Sequence, residues 1–329
     1  MLLDSYNRKI TDLRISLTDR CNFRCFYCLP NGEPPLARKE TILTFEEIER
    51  IAQIFVSLGI EKIRLTGGEP LIRRDVPELV AKLSALKPAL TDIALTTNGF
   101  DLPRHAKALK AAGLDRITIS LDSLDPKNFE DITGVDALGK VLDAIAAARE
   151  FGFEPVKINA VVVRGRNDHE IVDLARFARE NNISMRFIEF MPLDSGSEWD
   201  RTLVVSGREI KETIDAELPL ELIDTTRGSE TSWKYRFADG SAGEIGIIAP
   251  VTEMFCGQCS RIRLTADGQI RTCLFSTVEH DLRSVIRSGA ADEEVADFIK
   301  AVTLKKEPRH YINDTAFTPA SRTMSFIGG

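Results

Sequence analysis

The sequence of 329 residues predicts an α/β fold, a partial (βα)6 barrel followed by a C-terminal α+β extension. Six strand-like segments alternate with helix-like segments up to residue 190. Such alternation implies parallel strands with right-handed crossover helices, which curl into a barrel or part of one. In addition, the residues suited to chemistry directly follow predicted strands, and barrel folds place their active sites at those strand ends.

The strands are predicted from short segments in which apolar residues alternate or cluster. They cover residues 13–17, 62–65, 92–96, 116–121, 156–163 and 185–190. Apolar residues spaced three or four positions apart predict the helices between them. These helices cover residues 48–58, 76–86, 103–112, 137–151 and 171–178. Gly59 and Gly113 are the expected stops of the first and third helices.

The alternation ends near residues 194–200, which predicts a domain boundary. We expect a barrel over residues 1–195 and an extension over residues 196–329. The loop at 31–40 and the segment at about 200–240 match no motif, so the sequence gives them no role.

Three cysteines follow the first predicted strand. Cys21, Cys25 and Cys28 have the spacing C-x3-C-x2-C, and their thiolates can hold three irons of a [4Fe–4S] cluster. Such clusters normally have four cysteine ligands, so one iron would be open to a small chelating ligand. A zinc site and a thiol redox pair are the alternatives. A zinc site needs a fourth Cys or His ligand, and the sequence has none near this triad. A thiol redox pair of Cys25 and Cys28 would leave Cys21 unused.

The remaining cysteines form a second triad, Cys256, Cys259 and Cys273, with the spacing C-x2-C-x13-C. The spacing of this triad alone is compatible with zinc or an iron–sulfur cluster. The presence of the first triad in the same chain favours a second [4Fe–4S] cluster. The sequence shows no secretory features and no apolar run of membrane length. We therefore expect a cytoplasmic protein without disulfides and without a membrane partner.

Charge limits the classes of partner. The chain has 43 Lys and Arg against 50 Asp and Glu, a formal charge of −7, so we expect no nucleic-acid partner. Basic residues nevertheless lie on predicted strands, and alternate residues of a strand share a face. Inside a barrel they would need an anion, and several guanidiniums together suit a triphosphate. The alternative is outward-facing, solvated charge. The four histidines are interpreted as surface residues.

The motif CNFRCFYC resembles the signature of the radical S-adenosylmethionine (radical SAM) superfamily. A wider set of motifs resembles the GTP 3′,8-cyclase family of molybdenum cofactor biosynthesis over almost the whole chain. That set is LRISLTDRCNFRCFYCLP, KIRLTGGEPLIRRD, LTTNG, ISLDSLD, VKINAVV, MRFIEFMP, FCGQCSRIRLTADGQIRTCLF and RTMSFIGG.

The resemblance implies roles for named residues. The first triad would bind the cluster that cleaves S-adenosylmethionine, and the second triad a cluster whose open iron contacts guanine. The residues that match S-adenosylmethionine contacts are Tyr27, Gly68, Ser120 and Met191. Those that match GTP contacts are Arg14, Lys62, Arg64, Thr96, Lys157, Arg186, Arg261 and Arg263. The residues implied in catalysis are Arg261, Arg263, Gly328 and Gly329. Similar tails enter the barrel, whereas two terminal glycines alone would suggest a frayed end.

The implied reaction takes hydrogen from C3′ of GTP and joins that carbon to C8, giving 3′,8-cyclo-7,8-dihydro-GTP. The implied partners are GTP, a flavodoxin- or ferredoxin-like electron donor and a downstream cyclic pyranopterin monophosphate synthase. A homodimer is compatible with the resemblance. A radical SAM peptide-maturing enzyme is the alternative enzyme, but it does not account for the basic strand faces. A zinc or thiol-redox protein is the non-enzymatic alternative.

Overall fold

The computed structural model describes residues 1–29, 36–193, 199–320 and 322–328. Within these residues twelve strands form one open sheet. Its six central strands pair in parallel in chain order. They are β1 (Asp12–Ser16), β2 (Lys62–Thr66), β3 (Asp92–Thr97), β4 (Arg116–Ser120), β5 (Lys157–Val162) and β6 (Ser184–Glu189). All six predicted strands are thus confirmed to within one or two residues.

Helices connect these strands. They are α1 (Phe45–Ser57), α2 (Val76–Ser84), α3 (Leu102–Ala111), α4 (Pro126–Thr133), α5 (Leu138–Glu150) and α6 (Ile171–Glu180). α1 begins with a capping box, because Thr44 accepts from the amide of Glu47 and the Glu47 carboxylate accepts from the amide of Thr44. α4 was not predicted from its apolar pattern, yet Asp125 caps it and Pro126 starts it.

The C-terminal extension continues the barrel sheet at both edges. β9 (Glu244–Ile248) pairs in parallel with β6, and β10 (Arg261–Leu264) pairs in parallel with β1. The other strands of the extension are antiparallel: β7 (Leu220–Leu222), β8 (Trp233–Phe237), β11 (Gln269–Arg271) and β12 (His280–Asp281). Its helices are α7 (Gly207–Asp215), α8 (Leu282–Arg287), α9 (Asp292–Thr303) and α10 (Met324–Ile327). The predicted boundary between residues 195 and 196 lies outside the described residues and stays a prediction.

The strands turn their apolar residues to the core and their basic residues to the other face. Leu13 and Ile15 of β1 are fully buried in an apolar core that also includes helix residues such as Ile48 and Ile51. Arg14 lies between them in the sequence and lines a cavity on the opposite face. None of the described helices is both long and apolar enough to span a membrane.

Candidate active site

A cavity of about 270 Å³ lies on the inner face of the sheet. It brings together all eight residues that the resemblance implied for GTP. They are Arg14, Lys62, Arg64, Thr96, Lys157, Arg186, Arg261 and Arg263. The basic residues of the strands therefore line this inner face, although Lys62 remains exposed to solvent at the start of β2.

Strand register sets three guanidinium-bearing residues side by side. Arg14 of β1 is opposite Arg64 of β2 on one side and Arg263 of β10 on the other. Arg64 donates from Nη1 to Thr96 Oγ1 and to the hydroxyl of Thr118, at 3.2 Å in both cases. Three adjacent strands thus present one row of positive charge to the cavity.

This row is electrostatically unfavourable without an anion. Burial, reinforced by neighbouring cations, lowers the pKa of Arg14 and Arg64 to about 10 and that of Arg263 to about 9. The same causes lower the pKa of Lys157 to about 7. Among the described residues, the buried Nε atoms of Arg14, Arg186 and Arg263 find no hydrogen-bond partner. Because buried donors are costly when unpaired, the cavity is built for a ligand rich in anionic acceptors.

The second cysteine triad opens onto the same cavity, since Cys256, Cys259 and Cys273 all line it. Cys256 starts a single helical turn, and the amide of Cys259 donates to its carbonyl at 3.1 Å. The Nη2 atom of Arg261 lies 3.5 Å from the Sγ atom of Cys259. Burial raises the pKa of Cys259, but the charges of Arg261 and Lys306 outweigh it and lower that pKa to about 6. A thiolate is thus favoured where a metal ligand is predicted.

The first triad lies in the loop after β1. The amides of Cys28 and Leu29 both donate to the carbonyl of Cys25 at 2.9 Å, which folds the loop back on itself. Burial raises the pKa of Cys25 well above its usual value, and the charges of Asp122, Cys28 and Cys21 raise it further. Three thiolates here would repel one another, and a positively charged iron–sulfur core removes that repulsion. The donor set therefore fits a cluster.

No three His, Cys, Asp or Glu side chains in the described part of the chain converge to hold a single metal ion. The case for clusters at both triads therefore depends on the six thiols, which form no disulfide, and on the charges around them.

The four residues predicted to contact S-adenosylmethionine lie near the first triad or at the cavity. The Tyr27 hydroxyl donates to Asp122 Oδ2 at 2.6 Å. A Cβ atom added to Gly68 would lie 2.2 Å from the carbonyl oxygen of Arg20, so only glycine fits beside the cysteine loop. Ser120 ends β4, and Met191 lines the cavity. Their contact with S-adenosylmethionine stays a prediction.

Residues 15–178 match the profile of the Radical SAM superfamily, and residues 183–312 match that of Molybdenum Cofactor Synthesis C. The GTP 3′,8-cyclase of Streptomyces coelicolor is 46% identical over 100% of this chain and 96% of its own. The GTP 3′,8-cyclase of Syntrophomonas wolfei is 42% identical over 100% of both chains. The chain belongs to the GTP 3′,8-cyclase family.

The radical SAM fold of this family member is shared with a solved structure of low sequence identity. Streptococcus suis SuiB, in a crystal structure with S-adenosylmethionine, superposes with a TM-score of 0.64 at 15% identity. The match covers 96% of this chain and 77% of SuiB. Membership of the superfamily supports one [4Fe–4S] cluster and S-adenosylmethionine as cofactors for this chain.

The C-terminal tail of this GTP 3′,8-cyclase family member is anchored rather than frayed. Arg322 forms ion pairs with Asp267 and Glu279, each at 3.0 Å. Gly328 has φ +77°, and a Cβ atom there would lie 2.6 Å from Thr66 Oγ1 and 2.9 Å from Ser16 Cβ. Ser16 and Thr66 are the last residues of β1 and β2. Gly328 therefore lies at the carboxyl ends of the barrel strands, while Gly329 is outside the described residues.

Sequence reasoning missed several residues of the site. Arg116 lines the cavity and pairs with Asp92, and the same-face rule that found Lys62 and Arg64 could have found it. Lys306 lines the cavity from a segment without a motif. Its buried ammonium donates to the carbonyl of Arg261 at 2.9 Å and to that of Thr272. It thus joins the strand after Cys259 to the residue before Cys273.

The interpretation of all four histidines as surface residues is wrong for His310. Its side chain is buried, lines the cavity and lies with its ring centroid 5.1 Å from that of Phe275. The surrounding sequence is polar, and the burial results from packing against a distant segment.

Proposed function

We propose that this chain cyclises GTP to (8S)-3′,8-cyclo-7,8-dihydroguanosine 5′-triphosphate, the first step of molybdenum cofactor biosynthesis, in a radical SAM reaction. The observation that carries the proposal is the row of adjacent guanidiniums beside a thiol triad in one cavity, in which the buried Nε atoms of Arg14 and Arg263 find no hydrogen-bond partner among the described residues. The names of relatives at 42–46% identity support it. A peptide offers only separate carboxylates, whereas a triphosphate offers many ionised oxygens close together to a row of arginines.

Two [4Fe–4S] clusters are proposed, one at each triad. Together with S-adenosylmethionine, the cofactors supply the radical that removes hydrogen from C3′ of the ribose. The second triad lines the substrate cavity, which suits a cluster that holds the guanine base.

The protein's own residues position the substrate. Arg14, Arg64 and Arg263 form the row that would hold phosphate oxygens, and Lys157 and Arg186 would hold them from β5 and β6. Arg261, next to Cys259, would place the base side of GTP near the second triad. Holding both ends of GTP fixes the ribose between them, and such fixing lowers the entropic part of a reaction barrier. The enclosed site also limits access of water to reactive carbon centres.

The remaining partners are proposals on the same basis. A flavodoxin- or ferredoxin-like protein would donate electrons, and a cyclic pyranopterin monophosphate synthase would take the product. We propose the cytoplasm as the location, because six reduced cysteines and two clusters suit a reducing compartment.

The test of the proposed function is anaerobic reconstitution followed by turnover. We expect about eight irons per chain, four for each cubane cluster. Incubation with GTP, S-adenosylmethionine and a strong reductant should yield 5′-deoxyadenosine and a nucleotide that has the mass of GTP but a different retention time. Protein that holds zinc tightly and binds no iron would contradict the proposal.

Replacing Arg263 with alanine should weaken GTP binding by about 2 kcal/mol or more, as for other buried charge partners. The thermal unfolding midpoint should not fall, because the change also removes a cation that its neighbours repel. Calorimetric titration without reductant measures the affinity. Arg236→Ala is the matched control, since Arg236 pairs with Glu221 on an exposed hairpin. Equal loss of affinity for GTP and S-adenosylmethionine would mean that Arg263 is structural.

GTP binding should become weaker as the pH rises above about 7. Burial lowers the pKa of Lys157 to about 7 in the free protein, and a bound triphosphate would raise that pKa by favouring the ammonium. Binding should therefore take up protons in the pH range between the two pKa values. Titration calorimetry in buffers of different ionisation enthalpy measures this uptake. Lys157→Met should remove it, and pH-independent affinity of the unmodified protein would contradict the expectation.

A further inference from the structure

Lys306 places a buried ammonium group between the two segments that carry the second triad. The residue is only 4% exposed and lies just after the end of α9. Its ammonium donates to the carbonyl of Arg261 at 2.9 Å and to the carbonyl of Thr272. Arg261 lies two residues after Cys259, and Thr272 directly precedes Cys273. One side chain therefore holds the backbone beside two of the three thiols.

The two carbonyls lie at the open end of the hairpin that β10 and β11 form. The last residue pair of this hairpin is Arg263 with Arg271. Arg261 and Thr272 lie beyond that pair, and Lys306 links the two strands there by donating to both. Its hydrogen bonds therefore help to set how far apart the two cysteine-bearing segments lie.

The positive charge of Lys306 has no carboxylate partner among the described residues, because both of its hydrogen bonds are to carbonyls. The carboxylate of the adjacent Glu307 accepts from the hydroxyl of Thr272 at 2.8 Å instead. A buried ion without an opposite charge is costly. Burial raises the pKa of Cys273, and the ammonium of Lys306 opposes that rise. The thiolates of the second triad are therefore the anions that this charge fits.

We propose that Lys306 is a positioning residue that tunes the second cluster, because its ammonium offsets the negative charge of the thiolates and makes the cluster easier to reduce. The proposal rests on the second cluster of the proposed function, but not on the cyclisation of GTP. Reduction adds an electron to a site that already carries three thiolates. A fixed positive charge therefore stabilises the reduced form more than the oxidised form. Net charge and hydrogen bonding are among the features that set the potential of such clusters.

The test is a redox titration of the second cluster, followed by electron paramagnetic resonance, in the full-length protein without GTP. The Cys25→Ser background is used, because the first triad then lacks a ligand and the second cluster supplies the signal. We expect Lys306→Met to lower the reduction potential, so that the ratio of reduced to oxidised cluster at one solution potential falls about tenfold. Lys306→Arg retains the charge and should retain the potential.

Lys305→Met is the matched control, because Lys305 is the neighbouring residue and is exposed to solvent. Water and salt screen an exposed charge, so this change should leave the potential of the cluster where it was. Salt screens a buried charge much less. The shift in Lys306→Met should therefore persist when the salt concentration is raised.

The outcomes separate a role of the charge from a structural role. If Lys306→Met loses the second cluster and Lys306→Arg keeps it at the original potential, the charge is required and the proposal holds. Equal shifts in both variants, or loss of the second cluster from both, would show that Lys306 is only structural. An unchanged potential in Lys306→Met together with weaker GTP binding would mean that the ammonium serves GTP, and an unchanged potential alone would also overturn the proposal.

Failure of the proposed function gives a different result. If the second triad holds no iron in protein with an unchanged Lys306, the second cluster is wrong, and the proposal for Lys306 is wrong with it. If iron is present there and only the expected shift is missing, the role of Lys306 is wrong and the proposed function is unaffected.

Discussion

Replacing Cys25 with serine is expected to abolish cleavage of S-adenosylmethionine, whereas Cys259→Ser should retain cleavage and lose the cyclised nucleotide. Cys25 lies in the loop with Tyr27, whose hydroxyl donates to Asp122, and it is not among the described residues that line the cavity. Cys259 lines the substrate cavity and contacts Arg261. Cys25→Ser therefore removes a ligand of the cluster proposed to cleave S-adenosylmethionine. Cys259→Ser instead disturbs the proposed binding site of GTP.

The two variants are each other's controls. Each should retain about four irons, the content of one cubane cluster. Under reducing conditions 5′-deoxyadenosine and cyclised nucleotide are quantified in the same reaction by chromatography and mass. If both folded variants lose cleavage to the same extent, the division of labour between the triads is wrong.

Local sequence patterns were sufficient for the barrel and for much of the site. Strands and helices of the barrel have strong periodicity, so their positions follow from single segments. The pairs Lys62 with Arg64 and Arg261 with Arg263 follow from the two-residue period of a strand. The two-residue period does not show which face of a strand points into the barrel. The inward face is opposite Leu13 and Ile15, which pack in the apolar core.

The rest of the fold depends on contacts between distant segments. β9 and β10 are short, and nothing in their own sequences shows that they pair with opposite edges of the barrel sheet. Lys306 and His310 enter the site for the same reason, since packing against distant segments buries these two side chains of an otherwise ordinary segment. α4 buries only Phe129 and Ile132 as large apolar residues, too few to show a helical period, and its start is marked by Asp125 and Pro126 instead.

Replacing Gly328 with alanine should leave folding, both clusters and GTP affinity nearly unchanged while cyclisation falls by about a hundredfold or more. A Cβ atom would lie 2.6 Å from Thr66 Oγ1 at a positive φ, so the end of the tail must leave its place between β1 and β2. Arg322 would still hold the preceding residues through Asp267 and Glu279. The row of arginines would be intact, but the tail would no longer cover the strand ends where we propose that the ribose lies, and a displacement of about 1 Å can cost a hundredfold in rate.

The control for Gly328→Ala is Gly240→Ala. Gly240 has nearly the same backbone angle, φ +73°, but no atom of the described residues lies within 4 Å of an added Cβ atom, so it shows the effect of backbone strain alone. Transfer of deuterium from C3′-labelled GTP into 5′-deoxyadenosine measures the step directly. Deletion of Gly328 and Gly329 should give the same loss as Gly328→Ala. Full deuterium transfer in the truncated protein would contradict a role of the two glycines in the reaction. The tail would then serve only to anchor residues 322–327, and GTP binding and cluster content would explain all of the activity.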